Sequence, residues 1–176
     1  DGIKNGKADF SAAGLTHTIE RKKEFLFGPT YQNVTQQLVC RRGGKRPKKI
    51  EDLVGIEIIV PTDSSYVEHL NKIKMSYPDI QWKEVSDTNT ETLLEQVWEK
   101  KIDCTIEYSK IVDINRRYFP ELTVRFDITV PESLAWVVRK KDTGMQTLIN
   151  DWFSEYKDSG KLEEVMHRYY GYIEDF

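Results

Sequence analysis

The sequence has few cysteines and no long apolar run. Hydrophobic residues make up 39% of its 176 positions, but no stretch of about 18 consecutive apolar residues occurs that could span a bilayer. The only two cysteines, Cys40 and Cys104, form neither a disulfide framework nor a metal-binding spacing. Both fall in predicted strands of the same part of the chain, where a disulfide is possible. The pattern favours buried free thiols.

Neither sign of charge dominates the chain. The net charge of −3 and the pI near 5.7 give no general attraction to nucleic acid or to anionic membranes. The local exception is RRGGKRPKK, residues 41–49, with six basic side chains in nine positions. Because no aromatic residue is interleaved for base stacking, we interpret this run as a solvated loop rather than a binding site for an anionic polymer.

Catalytic and metal-binding sets are also missing. The three histidines lie apart, with no cysteine or carboxylate at metal-ligand spacing, and no Ser-His-Asp or Cys-His set can be argued from the sequence. We therefore predict neither a metal site nor a cofactor. Glu132 follows a proline and leads into the apolar strand LAWVV, so we interpret it as part of a connection rather than as a catalytic acid.

The stretch from Asp9 to Tyr31 has the features of half a ligand cleft. Residues 10–13 are small or apolar and end at Gly14, which predicts a buried strand opening into a loop. Thr18 is placed to cap a short helix over residues 19–24. Arg21, in the first turn of that helix, could hold a carboxylate or phosphate with two parallel hydrogen bonds. The alternative is a surface arginine paired with a neighbouring glutamate.

A second candidate anion site follows a buried strand over residues 56–60. The strand runs into the turn PTDSS and then into an amphipathic helix, and the unpaired N–H groups of a helix N-terminus attract anions. Ser64 and Ser65 are the candidate contacts. The alternative is a plain N-cap by Ser65, with Glu68 at capping-box spacing.

Strands and helices continue to alternate to about residue 118, which predicts a parallel α/β architecture. Two amphipathic helices over residues 145–156 and 162–170 carry aromatic side chains expected in a core.

The pattern A-G-L-T-x-T-x-E-R-x-x-x-F-x-F, which starts at Ala13, resembles the family 3 extracytoplasmic solute-binding proteins. This resemblance implies an α/β fold with two lobes, the type II periplasmic-binding-protein fold. The opening DGIKNGKAD resembles a segment from the interior of that fold, so the first lobe is expected to lack its N-terminal strands. The implied lobes are residues 1–33 with the return segment 131–176, and residues 34–130, with ligand binding closing them.

The resemblance also implies a role for each candidate site residue. Arg21 would bind the α-carboxylate of a ligand, with Gly14 and Thr16 lining the same pocket. Ser64 and Ser65 would contact that carboxylate from the second lobe. Where the family usually has an aspartate for the ligand's α-ammonium, this sequence has Tyr108, whose hydroxyl cannot neutralise an ammonium.

Two further motifs, N-R-R-Y-F-P-E-L from Asn115 and R-Y-Y-G-Y-I-E-D-F from Arg168, resemble the non-catalytic module of the membrane-bound lytic murein transglycosylases F. The resemblance implies a periplasmic or outer-membrane-attached module that binds a muropeptide or an amino-acid-like ligand and regulates an attached catalytic domain. The alternative is the receptor of an amino-acid ABC importer, with a membrane permease as partner. An enzyme of the same fold, such as a dehydratase, is a third class. No nucleic-acid partner and no membrane insertion are expected.

Overall fold

The computed structural model describes residues 2–174, and side chains as far as Gly171. Contacts divide the chain into unit 1, Asp1–Val34 with Glu132–Phe176, and unit 2, Thr35–Pro131. Unit 1 contains β1 (Phe10–Thr16), α1 (Ile19–Glu24), β2 (Phe25–Phe27), β3 (Gln32–Val34), β9 (Glu132–Arg139), α5 (Thr143–Asp158) and α6 (Lys161–Glu174). Unit 2 contains β4 (Gln36–Arg41), a 3-10 turn (Ile50–Leu53), β5 (Ile58–Pro61), α2 (Ser65–Ser76), β6 (Lys83–Val85), α3 (Thr90–Trp98), β7 (Cys104–Tyr108), α4 (Ser109–Asn115) and β8 (Leu122–Asp127).

The sheet of unit 1 is built on β9. Strands β1, β2 and β3 each pair antiparallel with it. On one face, Ile149 and Phe153 of α5 are buried against Val138 of β9. The prediction that the aromatic residues of α5 belong to the core is wrong for Trp152, which is 44% exposed. This indole stacks on Trp136 and Tyr156 at the rim of the unit.

Strand β1 differs from its prediction in burial and in length. Residues 10–13 do not form a buried strand: Phe10 is 42% exposed and both alanines are exposed, because β1 lies at the edge of the sheet in the described part of the chain. The strand also does not end at Gly14, since it continues to Thr16 after an irregularity in its pairing with β9. Gly14 allows this irregularity because its φ of 65° suits glycine and few other residues.

The sheet of unit 2 is mixed, with the order β6-β5-β7-β4-β8. The prediction of a parallel architecture holds only for β5, β6 and β7, which are joined by the helical crossovers α2 and α3. Strand β4 pairs antiparallel with both β7 and β8. Buried apolar residues fill both faces of this sheet, including Leu38, Ile58 and Leu70 on one face and Val39, Leu93 and Leu94 on the other.

The two cysteines form a disulfide, so the preference for free thiols is wrong. Cys40 of β4 and Cys104 of β7 are directly opposite each other, with their Cα atoms 4.3 Å apart. The sequence showed that both lie in strands, but not that these strands are neighbours in register. Both residues are completely buried.

Replacing both cysteines, Cys40→Ala with Cys104→Ala, should lower the free energy of unfolding by about 2 to 4 kcal/mol, because the bond cross-links residues far apart in the chain. The measurement is urea unfolding followed by circular dichroism. Reductant should destabilise the wild type and leave the double variant unchanged. Equal midpoints for oxidised and reduced wild type would contradict the prediction.

Gly14→Ala should destabilise unit 1 by about 2 kcal/mol or more, because a methyl group there would overlap the hydroxyl of Tyr31 in addition to straining the backbone. Gly55→Ala is the matched control: its φ is 76°, but no atom lies within 4 Å of the added carbon. Adding Tyr31→Phe to Gly14→Ala should recover part of the loss. Thermal unfolding measures all three, and equal costs for the two glycines would rule out the steric contact.

Candidate functional site

In unit 1 the predicted residues meet where β1 ends and α1 begins. Thr18 is the N-cap of α1, and its hydroxyl accepts a hydrogen bond from the backbone N–H of Arg21 at 3.2 Å. This cap fixes the first turn of the helix, so that the guanidinium Nη1 of Arg21 donates to Thr16 Oγ1 at 2.8 Å. Gly14 and Thr16 are both buried and lie on the same face of β1.

The predicted alternative for Arg21 was an ion pair with a neighbouring glutamate. Glu24 instead pairs with Lys4 at 2.6 Å. Within residues 2–174, Arg21 forms no ion pair with Glu20 or Glu24, and its hydrogen-bonding partners are Thr16 and Thr18. The half-buried guanidinium is therefore a cation held in place by neutral groups, with N–H groups that can donate to an anion.

In unit 2 the predicted residues meet where β5 and β7 end. These strands are parallel, so their carboxyl ends share one edge of the sheet, the usual position of a ligand site in such folds. Ser65 is 2% exposed, and its hydroxyl shares a hydrogen bond of 2.6 Å with the hydroxyl of Tyr108. Tyr108 is the N-cap residue of α4 and Ser65 begins α2. Two helix N-termini thus meet at this hydrogen bond.

The capping predicted for α2 is wrong in detail. Ser64, not Ser65, occupies the N-cap position, and its hydroxyl makes no side-chain cap. It donates instead to the carbonyl of Pro61 at 2.7 Å, which closes the turn after β5. Because no side chain caps this helix, the first N–H groups of α2 keep their capacity to donate to an anion.

Sequence reasoning missed a polar network behind Ser65. The amide Nε2 of Gln36 donates to Ser65 Oγ at 3.3 Å and lies 3.0 Å from Nδ1 of His69. That Nδ1 of His69 is 2.9 Å from the carbonyl oxygen of Ser65. Gln36 is completely buried. The available signal was the glutamine that begins strand β4, but its partners lie on α2, distant in sequence.

Glu107 is the second missed residue. Strand alternation predicts that its side chain points away from that of Tyr108, but it does not predict that Glu107 is completely buried. Its Oε1 accepts from the hydroxyl of Tyr66 at 2.5 Å and from the backbone N–H of Tyr108 at 2.6 Å. A lone acidic residue in the strand CTIEY was the signal. These bonds tie β7, α2 and the start of α4 together directly behind the Ser65–Tyr108 contact.

Burial dominates the electrostatics of this network. Burial raises the pKa of Glu107, an effect partly offset by the neighbouring Thr90 and by the hydrogen bonds that Tyr66 and the backbone N–H of Tyr108 donate. Burial, followed by the nearby Glu107, raises the pKa of Tyr66 well above its ordinary value. Burial therefore favours the uncharged form of both side chains.

The residues that the structure describes contain neither a metal-binding cluster nor a membrane-spanning helix. From residue 2 to residue 174, no group of three or more His, Cys, Asp or Glu side chains is arranged to hold a metal ion. None of the helices in that range combines the length and the apolar character needed to cross a membrane. Residues 175–176, the end of the motif that starts at Arg168, lie outside the described part of the chain.

Glu107→Gln should remove a pH-dependent loss of stability. Since the pKa of Glu107 is raised in the folded state, its contribution is fully present below its ordinary value of 4.5 and is lost as the pH rises through the raised pKa. The difference in unfolding free energy between variant and wild type should therefore grow in favour of the variant across that range. Urea unfolding at several pH values measures this difference. The exposed Glu164→Gln is the control, and parallel pH profiles for wild type and Glu107→Gln would contradict the prediction.

Curated relatives match nearly all of the chain. A membrane-bound lytic murein transglycosylase F of Saccharophagus degradans is 38% identical over 164 residues, which are 93% of this chain and 33% of the relative. One from Sodalis glossinidius is 36% identical over 178 residues, covering 100% of this chain and 38% of the relative. The chain thus spans little more than a third of the length of these relatives. The predicted resemblance to this branch is confirmed.

Solved structures with the same fold are amino-acid-binding proteins. A mutant of the arginine-binding protein ArgBP from T. maritima has a TM-score of 0.85 and 26% identity, covering 97% of this chain and 72% of that one. The solute receptor for L-cysteine of Neisseria gonorrhoeae has a TM-score of 0.83 at 19% identity, covering 96% of this chain and 66% of that one. The predicted type II periplasmic-binding-protein fold is confirmed.

The sequence pattern of one family extends over almost the entire chain. The family model of the bacterial extracellular solute-binding proteins, family 3, matches residues 1–172. This range includes all six predicted site residues. On this match and on the identity to the relatives, the chain belongs to the bacterial extracellular solute-binding proteins of family 3.

Proposed function

We propose that this chain binds a muropeptide and thereby regulates an attached lytic transglycosylase domain. The relatives named transglycosylases are about three times as long as this chain, which leaves room in them for a separate catalytic region. Within this chain, Glu132 begins strand β9 and pairs with Val34 in a sheet. This position does not suit the acid of a glycosidase, so we assign the chain a binding role and no catalysis.

Arg21 is the residue proposed to bind the carboxylate of the ligand. Its guanidinium is held by Thr16, carries N–H groups that can donate to an anion, and is not neutralised by Glu20 or Glu24. In unit 2, the uncapped N-terminus of α2, with Ser64 and Ser65, is a second place where an anionic oxygen can be bound. Gly14 is proposed to line the same site as Arg21, since it is buried on the face of β1 that carries Thr16.

The presence of a tyrosine at position 108 favours a peptide over a free amino acid as the ligand. A free amino acid brings an ammonium group, which is best bound by a carboxylate. Tyr108 is neutral and already shares a hydrogen bond with Ser65. In a peptide the nitrogen of every residue after the first is a neutral amide, which a hydroxyl can accept from. The carboxyl of the buried Glu107 accepts a hydrogen bond from the backbone N–H of Tyr108, which helps to hold Tyr108 in place.

The proposed location is the periplasm, at or near the outer membrane. The family is extracellular by its description, and a buried disulfide is typical of an oxidising compartment. The second candidate is the receptor of an amino-acid importer, favoured by the structural similarity to proteins of amino-acid ABC transporters. That candidate would require a membrane permease as partner and a different way of binding the ammonium group.

A thermal-shift titration of the chain with purified muropeptides and with free amino acids tests the proposal, because a ligand that binds only the folded state raises the melting temperature. We expect stabilisation by muropeptides. Arg21→Ala should weaken that binding by about 2 to 4 kcal/mol, the usual scale for removing one partner of a buried charge pair. The exposed Lys23→Ala, from the same helix, is the control and should bind like the wild type.

Two results would count against the proposal in different ways. Stabilisation by one free amino acid, without any by muropeptides, would favour the importer receptor. Unchanged muropeptide affinity in Arg21→Ala would leave the ligand class standing and remove Arg21 as the carboxylate partner.

A further inference from the structure

The loop of residues 41–49 forms an exposed basic surface on unit 2. Its charged side chains are exposed except that of Arg41, which is half-buried, and Pro47 is buried in the middle of the loop. Six of the nine residues are basic and none is acidic, although the chain as a whole has a net charge of −3. We call residues 41–49 together with Lys100 and Lys101 the basic end.

The disulfide brings the two segments of the basic end together. Cys40 precedes the loop directly, and it is bonded to Cys104, which follows the turn that carries the two lysines. Between the segments lies a cavity of about 380 Å³, lined by Arg41, Arg42, Lys45 and Lys100 among others. Because the disulfide is buried, this arrangement is fixed by the sheet and does not depend on the loop alone.

Few acidic groups neutralise the basic end. Glu121 lies 3.9 Å from Arg41, and Glu99 pairs with Lys101 at 2.7 Å. The carboxylates of Asp52 and Asp103 accept from backbone N–H groups of Lys48 and Glu57. Among the residues described, a set of side chains forms no ion pair: Arg42, Lys45, Arg46, Lys48, Lys49 and Lys100.

The basic end is separate from the candidate ligand site of the same unit. It lies where β4 ends and β7 begins, whereas Ser65 and Tyr108 lie where β7 ends. Strand β7 has five residues, which at about 3.3 Å per residue puts the two places on opposite ends of the sheet. The basic end is therefore available to a second partner when the ligand site is occupied.

We propose that the basic end docks on an anionic phospholipid bilayer. That the anionic groups belong to a membrane rests on the proposed function, in which the chain is part of a membrane-bound protein. Lysine and arginine side chains are attracted to an anionic lipid surface, and the attraction grows with their number. Long exposed side chains around a shallow cavity suit phosphate headgroups, and without apolar anchors the contact is electrostatic, with no insertion into the bilayer.

Sedimentation of the chain with vesicles measures the docking. Vesicles of phosphatidylcholine with about 30% phosphatidylglycerol should bind the wild type in low salt, and vesicles of pure phosphatidylcholine should not. Because exposed charges are screened beyond about 8 Å at physiological ionic strength, added salt should weaken the binding. The variant carrying Lys45→Gln, Arg46→Gln, Lys48→Gln and Lys49→Gln should bind at least tenfold more weakly.

The matched control loses the same charge elsewhere. It carries Lys7→Gln, Lys22→Gln, Lys23→Gln and Lys141→Gln, all exposed residues of unit 1. This variant should bind vesicles as the wild type does, and unfolding midpoints check that both variants fold. Equal loss in the two variants would overturn the proposal, because binding would then follow net charge. Binding to soluble heparin without binding to vesicles would also overturn it and identify an anionic polymer as the partner.

The vesicle experiment and the thermal-shift experiment test the membrane docking and the muropeptide binding independently. Muropeptide stabilisation without vesicle binding removes the docking surface and leaves the proposed function. Vesicle binding with stabilisation by a free amino acid alone removes the muropeptide and leaves a membrane-docking surface.

Discussion

The pairing of β9 with three other strands is the constraint on which unit 1 depends. Strands β1, β2 and β3 all come from the first 34 residues, and each hydrogen-bonds to β9. In the sequence, strand β9 follows the whole of unit 2. The geometry at Arg21 therefore relies on long-range contacts, since Thr16 is positioned by its pairing with Leu134. Such non-local pairing is slow to form, because the chain must close a long loop first.

Unit 2 is continuous in sequence, but its sheet also depends on distant pairing. Its strand β4 pairs with β7 and β8, which lie far along the chain. The Cys40–Cys104 bond joins its central strands within the same segment. All five strands of this sheet belong to unit 2, so its pairing needs no strand from unit 1. The polar network of Gln36, Ser65 and Tyr108 is fixed by this core, which holds the site in place independently of β9.

Local features of the sequence predicted the helices and several of the strands well. The cap at Thr18 and the periodicity of α5 are short-range signals, and both appear in the structure. The Ser65–Tyr108 contact joined two residues that the family pattern had marked separately. Strand direction, the exposure of Phe10 and the disulfide could not be predicted in the same way. Each depends on which strands are neighbours, and periodicity along one strand carries no information about its partners.

The register between β3 and β9 determines how unit 2 is inserted into the sequence of unit 1. Val34 and Glu132, the last residue of unit 1 before unit 2 and the first after it, are direct partners in the ladder. Residues paired in this way have Cα atoms about 4.5 to 5.5 Å apart, a gap that a two-residue turn closes. Strands β3 and β9 are therefore arranged as the two arms of a hairpin, with the whole of unit 2 in the place of its turn. A short turn at this point would join the same strands in the same register, so the ladder of unit 1 does not require unit 2 as its connection.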